Sequence, residues 1–341
     1  MPKKIAVVLM NLGGPDNLDA VKPFLFNLFS DKAILRLPQP FRWLLARYIV
    51  TNREEEAKHI YSQIGGASPI LAETMKQAKS LEQELIKDAM PGTGYKVFIT
   101  MRYWHPFVDE TMQQVMDYTP DEIILLPLYP QFSTTTTLSS FTAWEKAASR
   151  YPAIPTRKIC CYPDHPLFIQ SHVTLLQTAY AQASQLGRVK ILFSAHGLPQ
   201  KIVSQGDPYP KQIEKTCKAV IEGLGIKNLD WKLCYQSKVG RLAWLEPSID
   251  TEINIAAHKK KVIIVVPVSF VSEHSETLVE LDIQYKKQAL DQGAVSYIRV
   301  PALGTEPHFI LALAQLSLLA SRPSKQYSCL NSRVCPYQKL G

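Results

Sequence analysis

Cysteine is scarce in this chain, and the few present follow no ligand or disulfide pattern. Six cysteines in 341 residues are too few and too irregularly spaced for the framework of a secreted domain. A reduced, cytoplasmic chain is therefore expected, with Cys217 and Cys234 as packing residues. Long apolar runs are also missing: none approaches the roughly 20 residues that cross a bilayer. The start, Lys3-Lys4 followed by Ile5–Met10, superficially has the outline of a short signal peptide. It runs into Asn11-Leu-Gly-Gly-Pro15 with no small-residue cleavage site, so it reads as a buried first strand. Gly-x-Gly-x-x-Gly, Gly-x4-Gly-Lys-Ser/Thr, His-Glu-x-x-His and Gly-x-Ser-x-Gly are all absent, so no generic nucleotide, zinc-protease or serine-hydrolase signature applies. Asn11–Pro15 alone is weak evidence for phosphate. No Lys/Arg block with interleaved aromatics marks a nucleic-acid track. The net charge of +8 is dispersed, which suits acidic membrane surfaces or carboxylate-bearing small substrates better.

What is present is an alternation. The composition, 46% hydrophobic and 20% charged, is that of a soluble globular protein. Ile5–Leu9, Lys96–Thr100, Glu122–Pro127, Lys190–Phe193, Trp231–Leu233 and Lys261–Pro267 read as strands buried on both faces. Ala72–Asp88, Val108–Asp117, Pro166–Gln185, Lys211–Leu224 and Glu276–Gln292 read as amphipathic helices between them. Such alternation predicts parallel sheets flanked by helices.

An internal echo divides the chain. Lys4–Pro15 parallels Val189–Pro199, each a strand ending in a polar residue, Gly and Pro, and Asp121–Pro130 parallels Lys260–Ser269. Two similar α/β domains follow, expected at 1–165 and 166–315 with a tail at 316–341 and a cleft between the domains. The first half is longer by an insertion near 20–60. There Phe24, Leu25, Phe26, Phe41, Trp43, Leu44 and Tyr48 alternate with Arg36, Arg42, Arg47 and Arg53. This is either a pair of ordinary helices with a buried face or an apolar lip that meets a membrane or an amphipathic ligand, and the two readings are compatible.

Two polar motifs stand at strand ends. In Ser194-Ala-His196-Gly-Leu-Pro199 a histidine projects from a rigid support, a position open to a structural or a catalytic role. In Ser272-Glu-His274-Ser-Glu276-Thr-Leu-Val-Glu280 the residues after Ser272 have helix-start chemistry. Glu273, Glu276 and Glu280 are spaced to share one helical face that continues to Gln284, and such a carboxylate row near a histidine can hold a divalent cation.

Taken in order, seven motifs resemble the ferrochelatase family from the first strand to about residue 310. They are Asn11-Leu-Gly-Gly-Pro15, Ile64-Gly-Gly-x-Ser-Pro69, Met101-Arg-Tyr-Trp-His-Pro106, Tyr129-Pro-Gln-Phe-Ser133 with its threonine run, Ser194–Pro199, Gln236-Ser-Lys-Val-Gly240 with Trp244-Leu-x-Pro247, and Ser272–Leu278. The resemblance implies two similar Rossmann-like domains, no organic cofactor, and insertion of ferrous iron into protoporphyrin IX as the last step of haem synthesis. A coproporphyrin chelatase or a non-catalytic porphyrin carrier is the alternative. It further implies His196, Glu276 and His274 as catalytic residues, with Glu276 on the wall opposite His196. His196, Glu276 and Glu280 become candidate iron ligands, and Leu12, Arg102, Tyr103, Tyr129 and Ser133 porphyrin contacts. For Arg102 and Tyr103 a surface ion pair and a packed ring is the plain alternative. For Thr134–Thr137 it is a polar helix start, and Gln236–Gly240 is read as mainly architectural. Some members carry a 2Fe–2S cluster on four cysteines. Here Cys329 and Cys335 are only two, and the adjacent Cys160-Cys161 have no ligand spacing, so no cluster is expected. The partners expected are porphyrin and ferrous iron, with peripheral membrane contact through the lip and no nucleic acid.

Overall fold

The computed structural model describes residues 3–322 except 239 and 241. The chain forms two compact units, one built on residues up to Cys161 and again from Leu313, the other on Tyr162–Ala312.

In the first unit, strands β1 (Lys3–Asn11), β2 (Thr93–Met101), β3 (Glu122–Pro127) and β4 (Thr156–Lys158) form an all-parallel sheet in the order β2-β1-β3-β4. Helices α1 (Val21–Ser30), α2 (Phe41–Ser62), α3 (Ile70–Lys87), α4 (Val108–Tyr118) and α5 (Thr137–Ala148) connect them. The second unit opens with α6 (Pro166–Ser184). Its strands β5 (Val189–His196), β6 (Trp231–Gln236), β7 (Val262–Pro267) and β8 (Ser296–Arg299) repeat the order as β6-β5-β7-β8, again all parallel. Its other helices are α7 (Gln200–Ser204), α8 (Tyr209–Leu224), α9 (Ile249–His258), a π-helix (Glu276–Tyr285) and α10 (Lys286–Asp291), and α11 (Pro307–Ala320) follows β8.

The echoed segments thus occupy equivalent places: β1 and β5 lie second in their sheets, β3 and β7 third. β3 and β7 are buried along their whole length, as unbroken β-branched runs require when helices cover both faces. Cys217 and Cys234 are fully buried, and Cys160 and Cys161 join Phe132, Phe141 and Trp144 in the core of the first unit. Cys329 and Cys335 lie outside the described residues. Among those described, no helix is long and apolar enough to cross a membrane.

Two short edge strands, β4 and β8, escape the sequence pattern because three or four residues show no periodicity. The helix expected over Glu276–Gln292 is instead a π-helix that becomes α-helical at Lys286. π-helical turns are rare and concentrate at functional sites.

Candidate active site

In an open parallel sheet, ligands bind beyond the carboxyl ends of strands, where the strand order reverses. In the second unit that edge carries His196 as the last residue of β5, Gln236 as the last of β6, and Glu276 at the start of the π-helix after β7. Gly197 lets β5 end this close to β6: its amide donates to the Gln236 carbonyl at 2.9 Å, and a Cβ there would meet that same oxygen at 2.9 Å and the Trp244 ring. The His196 amide is in turn held by the Ser269 hydroxyl at 3.2 Å.

His196 Nδ1 lies 2.9 Å from Glu276 Oε2. The expectation that Glu276 faces His196 from an opposite wall is therefore corrected. Both stand on one edge, because β5 and β7 are hydrogen-bonded neighbours and Ser194 pairs with Pro267. The two side chains remain 40% and 27% exposed, while His274 is buried with Nε2 3.9 Å from the same Glu276 oxygen. Loss of water around the His196 ring works to lower its pKa. The Glu276 charge and hydrogen bond, with the Glu280 charge behind them, outweigh this and hold it above its usual 6.5. For Glu276 desolvation acts upward, and His196 and then His274 overcome it, so its carboxyl lies well below the ordinary carboxylate range. Each partner thus favours the charged form of the other.

Behind this pair sits Glu280. Its carboxylate accepts from the Ser237 hydroxyl at 2.6 Å, the Ser237 amide at 3.0 Å, Gln236 Nε2 at 2.9 Å and the Tyr285 hydroxyl at 3.0 Å. Ser237 reaches it from a left-handed backbone with φ of 61°, a conformation a non-glycine residue adopts at a cost. The same hydroxyl lies 3.4 Å from Glu276 Oε2, and Tyr285 also reaches the exposed Asp250 at 3.3 Å. Desolvation and then repulsion from Glu276 raise the Glu280 pKa despite these donors.

The expected single face of carboxylates does not form. Glu273 precedes the helix and turns to Arg299 at 2.8 Å, to the Ala302 amide and to Thr277. Nor, among the described residues, do three His, Cys, Asp or Glu side chains make a group able to hold a metal ion. His196, Glu276 and Glu280 are consequently not a ready-made ligand triad: Glu280 is committed to four donors, and repulsion between like charges opposes bringing the carboxylates together.

The equivalent edge of the first unit holds a different cluster. Asp31, which ends α1, accepts from Arg102 Nη2 at 2.7 Å, the Tyr103 hydroxyl at 2.8 Å, the Ser139 hydroxyl at 2.5 Å and the Ala33 amide at 2.9 Å. Arg102 Nε also donates to Ser139 at 2.8 Å. Burial acts to raise the Asp31 pKa, but the Arg102 charge and these donors bring it below its usual value. Tyr103 and Ser133 are interior residues, the latter bonded to Thr135. Leu12, Arg102 and Tyr129 are half-buried, and burial of the Tyr129 hydroxyl raises its pKa. The threonine run does supply a helix start, since α5 begins at Thr137.

Asp31, Ser139, Ser237, Tyr285 and Asp250 were not foreseen. Ser237 carried a signal, because Gln236-Ser237 is a polar pair at the carboxyl end of β6, where the strand is buried. Asp31 carried none, lying 71 positions from Arg102.

A family model described as Ferrochelatase matches residues 4–319. The ferrochelatase of Wolbachia sp. subsp. Drosophila simulans (strain wRi) is 51% identical over 316 residues, covering 92% of this chain and 99% of that relative. That of Caulobacter vibrioides (strain NA1000 / CB15N) is 50% identical over 92% of this chain and 90% of its own length. That of Rickettsia felis is 49% identical over 98% and 96%. Among solved structures, the sirohydrochlorin chelatase SirB from Bacillus subtilis subspecies spizizenii in complex with cobalt superposes with a TM-score of 0.54 at 12% identity, covering 95% of this chain and 98% of that one, a likeness of fold alone. A match that runs from the first strand through α11 and includes both polar strand-end motifs leaves one assignment: the chain belongs to the ferrochelatase family.

Proposed function

We infer that this protein is a lyase that inserts ferrous iron into a porphyrin in haem synthesis, and we propose that the porphyrin is protoporphyrin IX. The observation that carries the chemistry is the half-exposed His196–Glu276 pair at the carboxyl edge of the second sheet.

Insertion exchanges two pyrrole N–H protons for one dication, so the site has to accept two protons and admit one metal ion. With Nδ1 anchored on Glu276, His196 offers Nε2 to the substrate. A neutral imidazole there is a base of suitable strength. Each proton taken up passes towards Glu276, and from its carboxylate a continuous hydrogen-bonded chain runs through Ser237, Glu280 and Tyr285 to the exposed Asp250. The raised pKa of Glu280 suits a group that takes up and releases protons. Ferrous iron accepts nitrogen and oxygen donors. An arriving dication competes with the proton for His196 and Glu276, which couples metal entry to proton departure, and a site without a fixed ligand cage can release its metal to the macrocycle.

For the porphyrin we assign Leu12, Arg102 and the exposed part of Tyr129 as contacts, with Tyr103 and Ser133 supporting them from the interior. The apolar lip supplies peripheral membrane contact from the cytoplasmic side: Phe41, Trp43, Leu44 and Tyr48 are all exposed. Such an arrangement favours a porphyrin with two carboxylates over one with four.

Anaerobic incubation with ferrous iron and protoporphyrin IX tests the reading. Porphyrin fluorescence is expected to fall as a haem spectrum rises, and coproporphyrin in a parallel reaction is expected to react more slowly. Binding without turnover for every porphyrin tried would leave a carrier; faster reaction of coproporphyrin would replace the substrate.

A further inference from the structure

The lip contains a feature that neither iron insertion nor apolar contact uses. Lys32, Arg36, Leu37, Pro38, Gln39 and Arg42 line a cavity of about 580 Å³ in the turn between α1 and α2. Three of the six are cations and none is an acid. From Lys32 to Arg53 the chain carries five cations and no Asp or Glu. The carboxylate nearest in sequence, Asp31, is taken up by Arg102, Tyr103 and Ser139. The next, Glu54, pairs with Lys22 and Lys58, about 18 Å further along α2 at 1.5 Å per residue.

Arg42 is the informative member. Its Nη1 donates to the Leu37 carbonyl at 3.0 Å, which fixes the guanidinium, while its Nε is buried with no hydrogen-bond partner. A buried donor without an acceptor is costly. The guanidinium so held lines the recess with its charge, and Arg suits a tetrahedral oxyanion through its terminal N–H groups. Around the cavity the surface is apolar: Phe41 and Tyr48 are 64% and 68% exposed, and Arg47 stacks over Trp43 at 5.5 Å. Aromatic and aliphatic side chains beside a basic recess match the boundary between headgroups and acyl chains.

We propose that the Lys32–Arg36–Arg42 cavity binds the phosphate of an anionic phospholipid, so that the lip recognises a charged headgroup as well as apolar chains. This deepens the membrane-contact reading above and rests on it. A recess with its own donors makes attachment depend on one geometry, whereas dispersed surface charge depends only on how many cations are present.

The test compares two single-charge removals on the full-length protein, using flotation with phosphatidylcholine vesicles with and without phosphatidylglycerol. Arg47→Gln removes an exposed cation outside the cavity and is expected to weaken binding to anionic vesicles about five-fold, the usual effect of one interfacial charge. Arg42→Gln is expected to weaken it well over ten-fold, with binding to phosphatidylcholine alone unchanged. Should Arg42→Gln lower the melting temperature, Lys32→Gln on the exposed Lys32 carries the same comparison. Equal losses for cavity and non-cavity variants would overturn the headgroup site and leave the membrane reading standing. Absence of wild-type binding to any vesicle would overturn both. Saturable binding of glycerol phosphate without vesicles, insensitive to Phe41→Ser, would identify a soluble phosphate as the occupant and overturn the lipid assignment.

Discussion

The two sheets share a strand order and differ at their carboxyl edges. Met10 pairs with Pro127 as Ser194 pairs with Pro267, so Leu12 is the counterpart of His196. Asn11 pairs with Met101 as Ala195 pairs with Tyr235, which makes Arg102 the counterpart of Gln236 and Tyr103 that of Ser237. Even the reach to the following helix repeats, since Arg102 donates to Ser139 on α5 as Gln236 donates to Glu280 on the π-helix. In the first unit the only carboxylate of the cluster, Asp31, is closed off by four donors, with its side chain 8% exposed. In the second, Glu276 pairs with an imidazole that stays open to solvent, while Glu280 behind it is held by four donors of its own. One backbone frame thus supports a satisfied structural network and a titratable site, and the residue at the strand end decides which.

The most damaging change is to make the second unit copy the first. His196→Leu removes the proposed base and is expected to lower kcat by roughly 1,000-fold, the middle of the range a positioned base contributes. Porphyrin binding, followed by fluorescence quenching, should persist. Retained turnover would remove His196 from the reaction. Next is Glu276→Gln, expected to cost about 100-fold by the same reasoning, with a distinct signature in pH. The Glu276 charge holds the His196 pKa above its usual value, so in wild type the rate should climb with pH through that raised value as the imidazole becomes neutral. Without the charge the climb moves to lower pH. A kcat/KM profile with an unmoved acid limb would show that another group titrates.

Ser237→Gly is gentler. Glycine tolerates the left-handed backbone at this position, so the variant deletes the hydroxyl that bridges Glu276 and Glu280 without adding strain. A fall in kcat of about ten-fold, with KM and melting temperature near wild type, is expected if the hydroxyl relays protons. An unchanged kcat would exclude Ser237 from the path.

Much of the frame was legible in the sequence. Unbroken runs such as Val262–Pro267 announce doubly covered strands, and the paired echoes fixed which strands are equivalent. His196 and Glu276 were legible as strand-end and helix-start residues of a motif. Their direct contact followed from β5 and β7 lying side by side, which the echo contained only implicitly. Three things were not legible. A π-helix leaves an apolar spacing close to that of an α-helix, so Glu276–Gln292 gave no warning. Glu273 satisfied the helical spacing and still turned away, because Arg299 on β8 drew it off. Asp31 depends on a long-range contact, and no local pattern encodes which carboxylate will meet Arg102.

That contact supplies the mildest test for catalysis and the clearest for structure. Asp31→Asn keeps the shape of the side chain but leaves Arg102 without its counter-charge in a partly shielded place. Such a loss is expected to cost about 1–3 kcal/mol, less than for a fully buried pair because Arg102 retains some solvent, with kcat within about three-fold of wild type. Because the folded-state pKa of Asp31 is depressed, its ionic contribution is present above the unfolded value of about 3.9 and fades as pH falls through the folded one. Urea unfolding should therefore separate variant and wild type near neutrality and bring them together in acid. If Asp31→Asn instead reduced kcat as far as Glu276→Gln does while leaving stability intact, the cluster of the first unit would belong to the chemistry, and the division of labour between the two strand-end edges would be lost.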